Sequence, residues 1–132
     1  MKKLVLATAS VYGMFSVILG AFGAHLFKEY LDEGKLASFE TGVRYQMYNA
    51  IALLVLGLCL KFETAYEKNA AGCLMIGSFL FSVSIYFLSF SEHWGVNLKF
   101  LGPVTPLGGL LMIIGWFLLL IFFIKKYKTQ KV

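Results

Sequence analysis

Five polar residues in the first half of the chain have the types and spacing to bind a ligand. They are His25, Glu40, Arg44, Gln46 and Asn49. Glu40 and Arg44 are four residues apart, so on a helix they share a face and can form an ion pair. A guanidinium is well suited to phosphate and carboxylate groups. The set therefore predicts a polar pocket in which Arg44 contacts an anionic group, and Glu40 and His25 orient it.

The alternative role for these five residues is structural. Polar side chains in a membrane helix often tie neighbouring helices together, and each such hydrogen bond contributes roughly 0.6–2 kcal/mol. Helical phase places Gln46 and Asn49 well away from the face of Glu40 and Arg44. The second helix then has two polar faces, and we expect it to lie between its neighbours.

Residues that could support catalysis or metal binding are few. The chain has no HExxH, no GxSxG and no glycine-rich phosphate loop. Four serines lie on the third predicted helix without a histidine or lysine at their depth to activate them; they are Ser78, Ser82, Ser84 and Ser89. His25 and His93 lack a matching carboxylate or thiolate spacing. We predict no enzyme activity, no metal and no cofactor, and we interpret Cys59 and Cys73 as packing residues.

Long, mostly apolar runs position these residues. The 132-residue chain is 59% hydrophobic and 14% charged, whereas a soluble domain is about 25% charged. Four runs approach or exceed the roughly 20 residues that a helix needs to cross a bilayer, at about 4–27, 39–60, 70–90 and 102–124. They must be helical because lipid offers no partner to free backbone groups. The sequence thus predicts an all-α membrane protein, a four-transmembrane-helix bundle in a single domain, 1–132.

Basic residues set the predicted orientation. An even number of spans puts both termini on one side, together with Lys2, Lys3, Lys61, Lys68, Lys125, Lys126, Lys128 and Lys131. The other side has Lys28, Lys35, Arg44 and Lys99. Because the more basic side is normally cytoplasmic, we predict both termini in the cytoplasm and the polar pocket near the outer leaflet. The net charge of +5 lies at span ends, which favours anionic lipid over nucleic acid as a partner.

The first span has a competing interpretation as a cleavable signal peptide. Lys2 and Lys3 would form its basic end, and residues 21–24 a loose cleavage site. Its apolar region is longer than the about 7–15 residues usual for such a peptide. We therefore expect a retained helix.

Small residues predict where the helices approach closely. They form stripes at Ser16, Gly20 and Ala24, at Ala71, Ser78, Ser82 and Ser89, and at Gly108 and Gly115. We interpret these stripes as contacts within one bundle, and a homo-oligomer is the alternative. Thr105 precedes Pro106 and is predicted to cap the fourth helix. The loop Lys28–Ser38 is predicted to form a short helix on the membrane surface.

The chain also resembles a known family along nearly its whole length. The residues that carry the resemblance are Gly20-Ala21-Phe22-Gly23-Ala24-His25, Thr41-Gly42-Val43-Arg44-Tyr45-Gln46-Met47-Tyr48, Phe81-Ser82-Val83-Ser84-Ile85-Tyr86, Thr105-Pro106-Leu107-Gly108-Gly109 and Gly115-Trp116. This order resembles the bacterial membrane family called domain of unknown function 423, also uncharacterised protein family 0382, which has small eukaryotic transmembrane relatives. The resemblance implies a multi-pass protein of the plasma membrane without an established activity. Its motif positions here are His25, Arg44, Tyr45, Gln46, Tyr86, Thr105, Pro106 and Trp116.

One position departs from the family pattern. Where this chain has Asn49, the family usually has a histidine. Asn49 does not titrate, which argues against a proton relay or a metal at this depth. The function that we predict is a binding or accessory membrane protein; the alternative is an oligomeric small transporter or channel subunit. The first span lacks the deep acidic residue on which small four-helix exporters rely, which counts against that alternative.

Overall fold

The structure, a computed structural model, describes residues 1–129, with side chains to residue 126. It contains four long helices and no strand in that part of the chain: α1 (Lys2–Ala24), α2 (Glu33–Cys59), α3 (Ala65–Phe90) and α4 (Val104–Thr129). Short 3-10 turns lie at Leu26–Glu29 and Lys99–Leu101. The predicted all-α class with four helices is confirmed. Lys131, one of the lysines used to predict orientation, lies outside the described residues.

Two helices begin earlier than the apolar runs indicated, because side chains cap them. Asp32 accepts a 2.9 Å hydrogen bond from the backbone of Lys35, so α2 begins at Glu33 instead of near residue 39. Thr64 and Glu67 form a reciprocal capping box that starts α3 at Ala65. Lys28–Ser38 does not form the separate surface helix that was predicted. Its first residues belong to a short 3-10 turn, and its residues from Glu33 onward begin α2.

The helices pack in chain order. α1 packs on α2, α2 on α3, and α3 on α4, while α1 and α4 do not touch within residues 1–129. Both α2 and α3 are therefore interior helices, so α2 lies between neighbours as predicted. Since α3 separates α2 from α4, an open groove runs between those two helices.

Close approach of α3 and α4 depends on glycine. A Cβ added to Gly108 would lie against the backbone nitrogen of Phe81 and 2.8 Å from the carbonyl oxygen of Gly77. One added to Gly115 would lie 2.9 Å from Cγ of Leu74. Ser78 and Ser82 of α3 are also fully buried, and the Ser82 hydroxyl donates to the carbonyl oxygen of Gly42 on α2 at 2.8 Å. The predicted α3 and α4 stripes are thus contacts within the bundle.

Thr105 does not cap α4, contrary to the prediction. The helix begins at Val104, and the carbonyl of Pro103 accepts the first intrahelical bond from Leu107 at 3.3 Å. The Thr105 hydroxyl instead lies 2.7 Å from that of Ser84, because it already points from the first turn toward α3.

Three stretches of the described chain are long and apolar enough to cross a membrane, at Lys2–Ala24, Ala65–Phe90 and Lys99–Lys126. The helix α2 is not among these three, because its polar residues lower its hydropathy. Its 27 residues nevertheless extend about 40 Å, more than the roughly 30 Å of a hydrocarbon core.

Candidate functional site

Glu40 and Arg44 form the ion pair that their spacing predicts. Nη2 of Arg44 lies 2.9 Å from Oε2 of Glu40, and the Arg44 side chain is 59% exposed. A cleft of about 200 Å³ lies beside the pair, between α1 and α2, with Gly20 and Gly23 in its wall. An exposed pair of this kind contributes at most about 1 kcal/mol to stability. Because both side chains are partly exposed, their charges remain accessible to a ligand.

His25 does not join that pair. It is exposed at the end of α1, and among the described residues it has no hydrogen bond or ion pair with Glu40 or Arg44. Phe27 instead faces the neighbouring helices, with its ring 5.1 Å from that of Phe39 and 4.8 Å from that of Phe90. The chain turns after Ala24 so that an apolar ring is enclosed and the imidazole faces outward.

Gln46 ties three helices together. It is 7% exposed; its Nε2 donates to the carbonyl oxygen of Tyr12 on α1 at 3.2 Å, and its Oε1 accepts from the Tyr86 hydroxyl on α3 at 2.7 Å. The Tyr12 hydroxyl in turn donates to the carbonyl of Met75 on α3 at 2.8 Å. Both ends of the Gln46 amide are used within the protein, so this residue has the structural role.

Asn49 is buried without being satisfied. It is 4% exposed, and its Nδ2 donates to the carbonyl oxygen of Tyr45 at 2.8 Å and lies 3.1 Å from Sδ of Met112. Its Oδ1 has no hydrogen-bond partner within the described chain. Reversing the amide would bring two oxygens together at Tyr45, so the orientation is determined. A buried acceptor without a donor costs about 1–3 kcal/mol.

Asn49 lines the groove between α2 and α4, which we call the α2–α4 groove. Its volume is about 440 Å³, and it is open along one side. The lining residues come from α2, α3 and α4: Tyr45, Tyr48, Asn49, Phe81, Gly109, Met112, Ile113 and Trp116. The ring of Tyr45 lies 4.9 Å from that of Phe81 and 6.0 Å from that of Tyr48, so aromatic surface covers the α2 side.

Several polar groups in this groove lack a partner. The hydroxyls of Tyr45 and Tyr48 and the indole N–H of Trp116 make no hydrogen bond to any residue that the structure describes, and Trp116 is 55% exposed. Lipid tails offer these groups nothing to bond. They give an apolar groove with two hydroxyls and one N–H donor, a combination suited to an amphipathic ligand. Oδ1 of Asn49, in the wall of this groove, is itself buried.

The sequence predicted Asn49 as a site residue but missed the rest of the groove. Tyr45, Tyr48 and Asn49 stand three and four residues apart on one face of α2, and this spacing was the available signal. Spacing along the chain gave no signal for the α4 residues, and Trp116 was named only through the family resemblance. The contact of α4 with α2, where Nδ2 of Asn49 lies 3.1 Å from Sδ of Met112, depends on how both helices pack on α3.

Comparisons with known proteins agree with the resemblance noted above. Residues 19–109 match the family described as "Protein of unknown function (DUF423)". The chain is similar to "UPF0382 membrane protein" of Staphylococcus epidermidis, 38% identical over 90% of this chain and 93% of the relative. It is also similar to "UPF0382 membrane protein YwdK" of Bacillus subtilis, 35% identical over 93% and 98%, and to a Haemophilus influenzae protein of the same family name, 34% identical over 88% and 90%. No solved structure matches.

Proposed function

Since this chain belongs to the DUF423 family of multi-pass membrane proteins, we propose that it is a binding protein that holds a small amphipathic molecule in the α2–α4 groove. The observation that supports this most is Oδ1 of Asn49, an unpartnered acceptor in a buried residue of an open groove. Because this atom is itself buried, a shift of the surrounding side chains would bring a hydroxyl or amide N–H of the ligand to it and complete its hydrogen bonding.

The groove also defines the ligand's other features. Its volume of about 440 Å³ lies in the range of small-molecule sites. Aromatic side chains form much of its wall, so the body of the ligand is apolar or planar. The groove opens sideways, so such a ligand enters from the membrane. A plain hydrocarbon tail would fill the space but leave Asn49 without its hydrogen bond.

Decanol is expected to bind the groove more tightly than decane. Trp94 and Trp116 are the two tryptophans of the chain, so the Trp94→Phe protein reports on the groove through Trp116 alone. Titrating that protein in detergent with each probe should show a preference for decanol on the order of tenfold, because one buried hydrogen bond is worth roughly 1–3 kcal/mol. Trp116 fluorescence is the measurement.

Asn49→Leu is the test variant for this preference and Arg44→Gln the matched control. Leucine has nearly the shape of asparagine but offers no acceptor, so the two probes should bind the variant about equally. Arg44→Gln changes a polar residue of α2 outside the groove and should keep the preference. A wild-type protein that binds both probes alike, or a leucine variant that still prefers decanol, would refute the proposed site.

The stability of Asn49→Leu is a separate expectation. Without ligand, the variant should be at least as stable as the wild type, since replacing an unsatisfied buried polar group by an apolar one is neutral or favourable. Thermal unfolding in detergent measures this. A loss of more than about 2 kcal/mol would mean that Asn49 mainly holds the fold together.

The cleft beside Glu40 and Arg44 is the second candidate site, for a lipid headgroup. Arg44 has further N–H groups beyond the one that contacts Glu40, and the pair is exposed in the first half of α2, where a headgroup could reach it from the nearer membrane surface. The cleft is smaller than the α2–α4 groove, and His25, which was predicted to belong to it, points elsewhere. We therefore favour the groove as the ligand site.

We further propose that the chain crosses the plasma membrane four times with both termini in the cytoplasm. Single cysteines at Lys3 and Lys99, in a protein whose Cys59 and Cys73 are replaced by alanine, would test this. An impermeant maleimide added to intact cells should label Lys99→Cys and should label Lys3→Cys only after permeabilisation. The opposite pattern, or labelling of both from outside, would contradict the orientation that the basic residues predict.

A further inference from the structure

A separate cavity lies where the α2–α3 connection meets the last turns of α4. Its volume is about 520 Å³. Three lysines line it, Lys61, Lys125 and Lys126, and apolar wall comes from Leu60 and Phe122. Cationic groups around one concave space, next to apolar surface at the end of membrane helices, suggest an anionic amphipathic ligand.

Two of these ammonium groups have positions set by aromatic rings. Nζ of Lys125 donates to the hydroxyl of Tyr66 at 2.7 Å and lies 4.5 Å from the centre of that ring. Nζ of Lys126 lies 5.6 Å from the ring centre of Phe122. Contacts of this kind hold a lysine over a ring. The Tyr66 oxygen accepts from Lys125, which leaves its own hydrogen for donation to an anion.

The third lysine is positioned by the chain next to it. Phe62 has a φ of 59°, a left-handed conformation that is unfavourable for a bulky side chain. Its side chain is nevertheless buried in the core, and this packing fixes the short connection between α2 and α3. Lys61 directly precedes it, is exposed and lines the cavity, so the backbone from which its side chain extends is fixed at the cavity.

The acidic residues in the lining leave the cavity cationic. Glu67 is buried, and its Oε2 accepts from the backbone and the hydroxyl of Thr64 at 2.8 and 2.9 Å. These two hydrogen bonds hold its carboxylate at the first turn of α3. Glu63 is the other carboxylate, and it is exposed. Among the described residues the lining therefore has three ammonium groups and two carboxylates, a net charge of +1, and only Glu63 of the two carboxylates is exposed.

We propose that this cavity binds the phosphate group of an anionic phospholipid. Lys61, Lys126 and the Tyr66–Lys125 pair contact the phosphate, and Leu60 and Phe122 contact the glycerol and the first acyl carbons. A lipid is favoured over free phosphate because apolar wall adjoins the lysines. The site is independent of the α2–α4 groove: it lies at the C-terminal end of α2, whereas the groove lies near the middle of that helix.

Native mass spectrometry of the full chain in detergent tests this site. The probes are phosphatidylglycerol, phosphatidylcholine and inorganic phosphate. The wild type should retain phosphatidylglycerol over phosphatidylcholine, and the double variant Lys61→Gln, Lys126→Gln should reduce that preference on the order of tenfold. The double variant Lys3→Gln, Lys68→Gln removes the same charge from exposed positions outside the cavity and should keep the preference.

Each other outcome would overturn the proposal. An absent preference in the wild type means that no anionic lipid site exists. Equal losses in the two double variants mean that overall charge, not the cavity, attracts the lipid. Displacement of phosphatidylglycerol by inorganic phosphate at equal concentration means that the site takes free phosphate. All four lysines are exposed, so both variants should fold, and their thermal unfolding is recorded alongside.

Discussion

Gly108→Ala is expected to destabilise the folded chain by about 3 kcal/mol or more. An added Cβ would collide with the backbone of Phe81 and would lie 2.8 Å from the carbonyl oxygen of Gly77. Backbone atoms within a helix cannot turn aside as a flexible side chain can. The variant must therefore push α4 away from α3, and the contact between these helices loosens. Unfolding by sodium dodecyl sulfate in mixed micelles, followed by circular dichroism, measures the change.

The neighbouring glycine provides the matched control. A Cβ on Gly109 would meet only the ring of Phe81, at 3.8 Å, which is ordinary contact. Gly109→Ala should therefore be neutral, or stabilising by up to about 1 kcal/mol through helix propensity. Equal effects of the two substitutions would show that α3 and α4 are not as close as described.

Gln46→Leu is expected to cost about 2 kcal/mol. The substitution removes the bonds from Gln46 to the Tyr12 carbonyl and the Tyr86 hydroxyl, and it leaves that half-buried hydroxyl with only the Ser82 side chain as a partner. Tyr86→Phe should cost less, since only one bond is lost. The double variant should be less destabilised than the sum of the two single variants, with a coupling of about 1 kcal/mol, measured in the same unfolding assay.

Tyr48→Phe is the control for this pair. Its hydroxyl lies on the same helix and is exposed without a hydrogen bond to the described residues, so removing it should change stability by less than about 0.5 kcal/mol. Strictly additive effects of Gln46→Leu and Tyr86→Phe would mean that the two side chains do not interact.

Much of the fold follows from local patterns in the sequence. Apolar runs predicted the four helices, and small residues predicted the close contact at Gly108, because both depend on residue type at short spacing. The first residues of α2 and α3 were harder to predict from the sequence. Asp32 and Thr64 begin them outside the apolar runs, so hydropathy missed turns that capping produces.

The candidate site was predictable only in part. Glu40 and Arg44 form an ion pair within one helix, and their spacing of four residues was sufficient to predict it. His25 was expected beside them, but its direction depends on how the chain turns after α1, and Phe27 took the enclosed position. The partner of Gln46 is Tyr86, 40 residues away. The groove around Asn49 includes Trp116 on α4, a helix far away in sequence that packs mainly on α3. Such contacts depend on tertiary packing and not on spacing.

Photo-crosslinking with a long-chain alcohol that carries a diazirine tests the proposed ligand site most directly. After illumination of the protein in detergent, digestion and mass spectrometry locate the labelled residues. We expect adducts concentrated at Tyr45, Tyr48 and Trp116 and markedly reduced in Asn49→Leu. Labelling spread evenly over other exposed apolar positions, such as Val17 and Ile76, and unchanged in that variant, would contradict the account.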